Sequence, residues 1–201
     1  MASKNQKISA FKSNIVDNGG LARANLFQVD LDFPDKVKSA TSFKGNTGGE
    51  YTTDSDKLGK FVCRAAQLPA STIGVVEVPF RGRMLKIAGD RTFEPWTITV
   101  MNDQDYRLRS AFEIWIGMIQ ETDHNFTTLG VEASTSSDAV YKTMKVKQLQ
   151  RGGTNQKIVE YKFRNAYPSA ISAIDLDWGS NDAIQEFTVE FQISHWTEDY
   201  A

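Results

Sequence analysis

Apolar and polar side chains alternate along several stretches of the chain, and this period of two residues predicts β-strands with one buried and one polar face. The alternation extends over residues 25–33, 92–101 and 186–194. In the second stretch Trp96, Ile98 and Val100 share one face. Shorter strands are predicted over residues 61–67, 140–149, 157–164 and 173–178, with turns or breaks at residues 151–155, 166–169 and 179–182.

A β-hairpin is predicted at residues 73–88. Residues 73–80 are rich in β-branched and apolar side chains, residues 81–83 reverse the chain, and residues 84–87 return it. Proline cannot donate to a central ladder, so Pro79 and Gly82 place the hairpin at an edge or on a protrusion. Gly89 and Asp90 predict a second turn after it.

One amphipathic helix is predicted over residues 103–119. Asn102 or Asp103 offers a side-chain oxygen to its first N–H groups, and Asp103 and Asp105 carry negative charge where the helix dipole favours it. Burial of each large apolar side chain would contribute about 1.5–3 kcal/mol, so this helix is expected to lie on a sheet. Its apolar stripe has helical spacing and consists of Leu108, Ala111, Phe112, Trp115, Ile116 and Ile119.

These elements predict a mainly β protein: an antiparallel β-sandwich or barrel of about eight strands with one packed α-helix. A chain of 201 residues fits a single domain, 1–201, with a sizeable core. Residues 1–20 are expected to form an N-terminal arm with helical character near residues 10–16. Residues 34–59 lack periodicity and predict a long inserted loop, and residues 121–138 predict a second polar connection.

Charge and cysteine usage narrow the function. The 23 basic and 25 acidic residues give a net charge of −2, which disfavours ordinary DNA binding and adhesion to anionic lipid. The single cysteine, Cys63, excludes an internal disulfide and is expected to be a small core residue. The N-terminus lacks a secretory apolar region, and no stretch reaches the length of a transmembrane helix, so no membrane association and no export by the usual route are expected.

Catalytic and metal-binding residue sets are missing from the sequence, so we expect neither an enzyme nor a cofactor or metal. Only His124 and His195 could serve a hydrolase triad, and no G-x-S-x-G turn occurs. We expect His124 to be solvated in a loop and His195 to continue the apolar face of the last strand. One cysteine and two distant histidines cannot form a zinc cluster.

Two acidic pairs are candidate sites. Asp54 and Asp56 alternate as at the start of a calcium loop, but the glycine and glutamate that such a loop requires are missing, which favours a solvated loop. Asp175 and Asp177 are two residues apart and would share one face of a strand. Charge on the polar side of a strand is far commoner than a catalytic carboxylate pair.

Several segments resemble the tail tube proteins of contractile-tailed bacteriophages. The likeness extends from Leu21 to Trp196. The residues that carry it are Leu68-Pro69-Ala70, Ala88-Gly89-Asp90-Arg91-Thr92-Phe93, Trp96-Thr97-Ile98-Thr99-Val100-Met101-Asn102-Asp103 and Leu176-Asp177-Trp178-Gly179-Ser180-Asn181.

The resemblance implies a structural virion protein whose subunits form hexameric rings, which stack into the inner tube of a contractile tail. It implies the phage tail tube fold, a place in the virion tail and assembly in the host bacterial cytoplasm. Expected partners are further copies of the chain, the tail sheath protein, baseplate tube-initiating proteins and the tape-measure protein. Phage DNA would pass through without specific binding. The loop at residues 34–59 is longer than the family pattern.

The predicted hairpin supplies the candidate subunit contact, because its apolar side chains need a partner surface. Its basic residues Arg81, Arg83 and Lys86 are a weak nucleic-acid signal, since no aromatic platform alternates with them. The expected inter-subunit contact residues are Val75, Val78, Phe80, Arg81, Arg83 and Met84.

Other functions remain open at this point. A tube-fold protein used once per particle, such as a baseplate tube initiator, or the tube of a related contractile injection system would share the same sequence features. A β-barrel that binds a small ligand would need an enclosed apolar pocket within one subunit. An enzyme would need an assembled catalytic set.

Overall fold

The computed structural model describes residues 7–17, 20–40, 63–127, 129, 139–151 and 157–200. The described residues form three helices: α1 (Ile8–Asp17), α2 (Asp35–Ser39) and α3 (Arg107–Ile119). They also form nine strands: β1 (Phe27–Asp30), β2 (Cys63–Ala66), β3 (Ser71–Phe80), β4 (Arg83–Phe93), β5 (Trp96–Met101), β6 (Lys142–Leu149), β7 (Lys157–Ile171), β8 (Glu186–Gln192) and β9 (His195–Tyr200). The mainly antiparallel β architecture predicted from the sequence is confirmed.

Strand β7 joins two layers of strands. The main sheet has the order β1-β6-β7-β8-β5-β2, and β9 also pairs with β7. The first half of β7 lies between β6 and β9, whereas its second half, from Tyr167 to Ile171, pairs with β8. Between the halves Asn165 has a φ of 54°, in the left-handed region. A strand that changes partners at such a point turns the corner between two sheet layers.

Aromatic side chains from both layers fill the space between them. Trp96 of β5 stacks on Phe163 of β7 with ring centroids 4.3 Å apart, and its ring lies 5.4 Å from that of Phe191. All three side chains are buried. The interior is therefore packed with side chains, as expected for a small β-sandwich.

Helix α3 covers this core with the face that its apolar stripe predicts. Phe112 lies 5.9 Å from Phe191 and 5.1 Å from Phe33, ring centroid to ring centroid. The indole N–H of Trp115 donates to the carbonyl of Val140 at 3.2 Å. The stripe is buried at Leu108, Ala111, Phe112 and Trp115, and only partly buried at Ile116 and Ile119.

The helix begins at Arg107 rather than at the predicted residue 103. Tyr106 precedes it with a φ of 54°, which interrupts helical geometry. Asp103 still serves the predicted end of the helix, because its Oδ1 accepts a hydrogen bond from the backbone N–H of Arg107 at 2.9 Å. The N-cap residue is Tyr106, which makes no side-chain capping hydrogen bond, so of the two predicted caps only Asp103 contacts the helix, from one turn before its start.

The predicted turn at Gly89 and Asp90 is wrong, since β4 runs through both residues to Phe93. Strand β5 accordingly starts at Trp96 rather than at residue 92. Gly89 faces Gly74 across a register shift in the hairpin, and a Cβ on Gly89 would lie 3.1 Å from the carbonyl oxygen of Gly74. Glycine is needed here for close approach of two backbones, not for reversal of the chain.

Three predictions in the second half of the chain also fail. The expected break at residues 166–169 lies inside β7, and residues 173–178 form no strand. The terminal strand β9 was missed because its sequence, HWTEDY, lacks apolar alternation. His195 begins β9 and is exposed, so it does not continue the apolar face of β8.

Helix α1 confirms the helical character predicted near residues 10–16 of the N-terminal arm. Part of the predicted loop at 34–59 is instead the short helix α2, with Val37 buried in the core. Residues 41–62, with Asp54 and Asp56, lie outside the described residues, as do residues 130–138 of the second polar connection.

Candidate assembly surface

Strands β3 and β4 form a hairpin apart from the sandwich, and within the described residues they pair only with each other. Two residues, Arg81 and Gly82, connect them, with φ values of 45° and 81°. Positive φ at both positions is the geometry of the tight turn that matches the twist of a hairpin. The predicted reversal at this site is confirmed, and so is its position on a protrusion, because every residue of β3 is exposed.

One side of the hairpin is almost entirely apolar. Directly paired residues of an antiparallel ladder share a face, so the pairs Val76 with Ile87 and Val78 with Leu85 lie on the same side as Phe80. The exposed fraction is 40% for Val78 and 66% for Phe80. We call these five side chains the apolar face of the hairpin: Val76, Val78, Phe80, Leu85 and Ile87.

The opposite side is mixed in character. It carries Val75, Pro79 and Met84, together with an ion pair between Lys86 Nζ and Glu77 Oε1 at 3.8 Å. The predicted contact residues are thus divided between the two faces of the hairpin. Val75 and Met84 lie on one face, and Val78 and Phe80 lie on the opposite face. Sequence reasoning missed Val76, Leu85 and Ile87, because two adjacent valines conceal the period of β3.

The root of the hairpin is fixed to the sandwich by β9. The guanidinium of Arg91 lies 4.8 Å from the ring centroids of both Phe93 and Trp196. Arg91 also donates to Ser71 Oγ at 3.1 Å, and the indole of Trp196 donates to the carbonyl of Ala70 at 3.4 Å. Cation–π contacts of this kind hold the two strands where they leave the sandwich.

The turn of the hairpin is basic. Arg81 lies over the ring of Phe80 at 5.5 Å, and Arg83 pairs with Phe80 in the ladder. We call Phe80, Arg81 and Arg83 the tip. It combines one exposed aromatic ring with two guanidinium groups.

A second exposed surface lies in the loop between β7 and β8, residues 172–185. Its side chains line an open cleft of about 560 Å³. Trp178 is fully exposed, and Leu176 and Ile184 are 77% and 70% exposed. Such exposure of large apolar side chains marks interaction sites in soluble proteins.

Hydrogen bonds order this loop. Asp177 Oδ1 accepts from the backbone N–H of Gly179 at 3.1 Å, and Ser172 N–H donates to Thr188 O at 2.9 Å. Asp177 therefore shapes a turn. The prediction that Asp175 and Asp177 share one face of a strand is wrong. Both side chains are exposed, and so is Asp182.

A network of ion pairs covers the outer face of the β1-β6-β7-β9 layer. Lys147 Nζ lies 2.6 Å from Asp30 and 3.6 Å from Glu160, and Lys162 Nζ lies 3.4 Å from Glu160. Burial opposes the charge on Lys147, but the hydrogen bonds and attraction of Asp30 and Glu160 outweigh it and raise the pKa of Lys147. The basic and acidic groups on this face are largely matched.

Cys63 and His124 lie in the environments predicted from the sequence. Cys63 is buried, as predicted, and burial raises the pKa of its thiol to about 12. His124 is exposed in its loop, as predicted. Among the described residues, no group of three or more histidine, cysteine or acidic side chains could hold a metal ion. In the same part of the chain, no helix has the length and apolar character needed to cross a membrane.

Two solved structures that share this fold come from contractile assemblies. The cap that terminates the tube of the anti-feeding prophage superposes over all of both chains with a TM-score of 0.60 at 16% identity. The sheath–tube complex of an extracellular contractile injection system, PVC, in the extended state gives a TM-score of 0.51 at 17% identity, over 90% of this chain and 93% of that one.

Sequence relatives are more specific. The tail tube protein gp19 of Enterobacteria phage T6 is 34% identical over 181 residues, which cover 90% of this chain and 93% of the relative. The tail tube protein gp19 of Enterobacteria phage T4 is 29% identical over 180 residues, with the same coverage. The model of the family described as phage tail tube protein matches residues 22–199. The chain belongs to the phage tail tube protein family.

Proposed function

We propose that this structural tail tube protein acts as a repeating subunit, forming hexameric rings that stack into the inner tube of a contractile phage tail. It works by self-association and performs no catalytic step. The assembled tube provides the conduit for the genome. The subunit is placed in the virion tail and is assembled in the host bacterial cytoplasm.

The exposed apolar face of the hairpin is the single observation that supports this proposal most strongly. Its five large side chains are between 40% and 66% exposed, and the root of the hairpin is fixed by Arg91 and Trp196. A soluble monomer rarely keeps such a surface in water. Burial against another subunit gives this surface a partner, with Val75 and Met84 on the reverse side contacting a different neighbour.

The charge pattern of the sandwich suits a conduit for a polyanion. On the outer face of the β1-β6-β7-β9 layer, lysines pair with carboxylates of the same subunit, as Lys147 does with Asp30 at 2.6 Å. Lysines engaged in this way gain little by binding phosphate, because they would release few counterions. In our proposal this face is turned toward the lumen of the tube, where DNA is expected to slide past it without specific binding.

Further partners follow from the kinds of assembly in which this fold occurs. The solved structures that share this fold include a sheath–tube complex, a sheath and tube terminator, and a baseplate. We propose that the subunit contacts the tail sheath protein on the outside of the tube, baseplate tube-initiating proteins at one end, and the tape-measure protein inside.

A tube-fold protein that is used once per particle would have the same fold. The cap and the baseplate of the anti-feeding prophage give TM-scores of 0.60 and 0.57, above that of the PVC tube complex. The relatives named as tail tube proteins favour the repeating subunit, because they match along 90% of this chain. A β-barrel with a ligand in its interior is disfavoured by Trp96, Phe163 and Phe191, which fill the space between the layers.

Electron microscopy of the purified protein tests the proposal. We expect rings or long hollow tubes at high protein concentration, and longer tubes when isolated baseplates are added as seeds. A single-use initiator would form rings that do not extend. Monodisperse monomers at high concentration, with baseplates present, would contradict self-association.

A further inference from the structure

The hairpin and the 172–185 loop are rooted at opposite ends of strand β5. The hairpin joins β5 at Trp96, whose indole N–H donates to the carbonyl of Gln67 at 2.8 Å. At the other end Met101 pairs with Glu186, and the backbone N–H of Asn102 donates to Gln185 O at 2.9 Å. At about 3.3 Å per residue, the two roots are about 17 Å apart along the strand.

The two surfaces carry opposite charge. The tip presents Arg81 and Arg83, whereas the loop presents the exposed carboxylates of Asp175, Asp177 and Asp182. Guanidinium groups match carboxylates both in charge and in hydrogen-bond geometry. Two copies placed head to tail would therefore attract each other, and two tips placed together would repel.

Their apolar groups match as well. The ring of Phe80 is 66% exposed at the tip, and the loop offers an open cleft of about 560 Å³ beside the fully exposed Trp178. An aromatic anchor and an arginine that enter a pocket rimmed by aromatic and acidic groups are the usual components of an interface hot spot.

We propose that the tip of one subunit, Phe80 with Arg81 and Arg83, docks into the 172–185 loop of a second copy of this chain. This proposal rests on the proposed function and names the partner surface of the hairpin. The contact joins two different surfaces, so each subunit keeps one free tip and one free loop. Such a heterologous contact propagates without closing on itself when the subunits are related by translation along an axis.

Disulfide trapping tests the contact. A chain with Phe80→Cys and Trp178→Cys together should form a ladder of covalent oligomers when tubes are oxidised. Either substitution alone should give no ladder, because a head-to-tail contact never brings two identical positions together. The native Cys63 does not interfere, since it is buried. A matched control pairs Phe80→Cys with Phe126→Cys, whose position is also exposed.

Charge reversal provides a second readout. Arg83→Glu and Asp175→Arg should each shorten or abolish tubes, and the two together in one chain should restore them. Both residues are exposed, and Asp175 was chosen because Asp177 shapes its own loop. Circular dichroism would verify that each variant is folded.

The outcomes separate the two proposals. Visible tubes without a ladder, or a ladder no longer than that of the Phe126→Cys control, would overturn the docking contact and leave the tube function intact. Covalent dimers from Phe80→Cys alone would also overturn it, because they would indicate tip-to-tip contact. Failure of the wild-type chain to form tubes, together with no ladder from the double variant, would overturn both.

Discussion

The indole of Trp96 stacks on the ring of Phe163 with centroids 4.3 Å apart and planes inclined by 21°. This pair connects β5 in one layer with β7 in the other, and both side chains are buried. Phe163→Ala should lower the free energy of unfolding by about 3–5 kcal/mol, the usual result of truncating a buried aromatic side chain. Urea unfolding followed by tryptophan fluorescence measures this.

Phe126→Ala is the control for that experiment, because Phe126 is 71% exposed. Its free energy of unfolding should stay within about 0.5 kcal/mol of wild type. Equal losses in the two variants would mean that the stack does not hold the layers together.

The two sides of the hairpin should respond differently to a charge. Phe80→Asp should leave the subunit folded but impair assembly, since it places a carboxylate in the apolar face. Met84→Asp, on the reverse side, should impair assembly less. Trp115→Asp should unfold the subunit, because Trp115 is fully buried.

Circular dichroism and electron microscopy, run on all three variants, separate these effects. Parallel loss of structure and assembly in Phe80→Asp would show that the hairpin stabilises the subunit itself. Equal assembly by Phe80→Asp and wild type would exclude the apolar face as the interface.

Two glycines should give opposite results when replaced. Gly89→Val should distort the hairpin, because a Cβ there would lie 3.1 Å from Gly74 O and 3.2 Å from Val76 Cγ2. Gly117→Ala should stabilise the protein by about 0.5–1 kcal/mol, since Gly117 lies inside α3 with nothing within 4 Å of its Cβ position.

Thermal unfolding measures the Gly117→Ala effect, and tube assembly reports the state of the hairpin in Gly89→Val. Normal tubes from Gly89→Val would mean that the two strands can separate at the bulge without consequence.

The ion pairs of Lys147 should give the protein a pH-dependent stability at the alkaline end. Its folded pKa is raised above the ordinary value of 10.5, so its contribution is fully present below pH 10.5 and is lost as pH rises through the folded pKa. Urea midpoints of wild type and Lys147→Met should therefore differ at pH 8 and converge above pH 10.5. A constant difference up to pH 12 would contradict the assignment.

The sequence predicted the parts of the fold in which one residue in two, or a helical stripe, faces the core. Strands β5 and β8 and helix α3 were found in this way, because burial of Val100, Phe187 or Phe112 imposes a clear period. The corner in β7 was not found, since Asn165 and Pro168 signal a break in isolation and only tertiary pairing with β8 keeps the strand extended.

The candidate surface was only half predictable for a related reason. The hairpin, its turn and its protruding position follow from residues 73–88, but the division of its side chains between two sides depends on register. The two-residue turn pairs Phe80 with Arg83 and thereby sets the register, which places Leu85 and Ile87 on the same side as Val76, Val78 and Phe80. The sequence of the 172–185 loop predicted a strand at residues 173–178. The pairing of β7 with β8 instead leaves these residues in an exposed loop between the two strands.

Strand β7 has a mechanical consequence for a component of a tail tube. A single covalent backbone is hydrogen-bonded to β6 and β9 in one layer and to β8 in the other. The layers cannot shear past each other unless one of these ladders breaks along its whole length. A load on one side of the subunit therefore passes through the polypeptide itself, and the subunit transmits force as one stiff element.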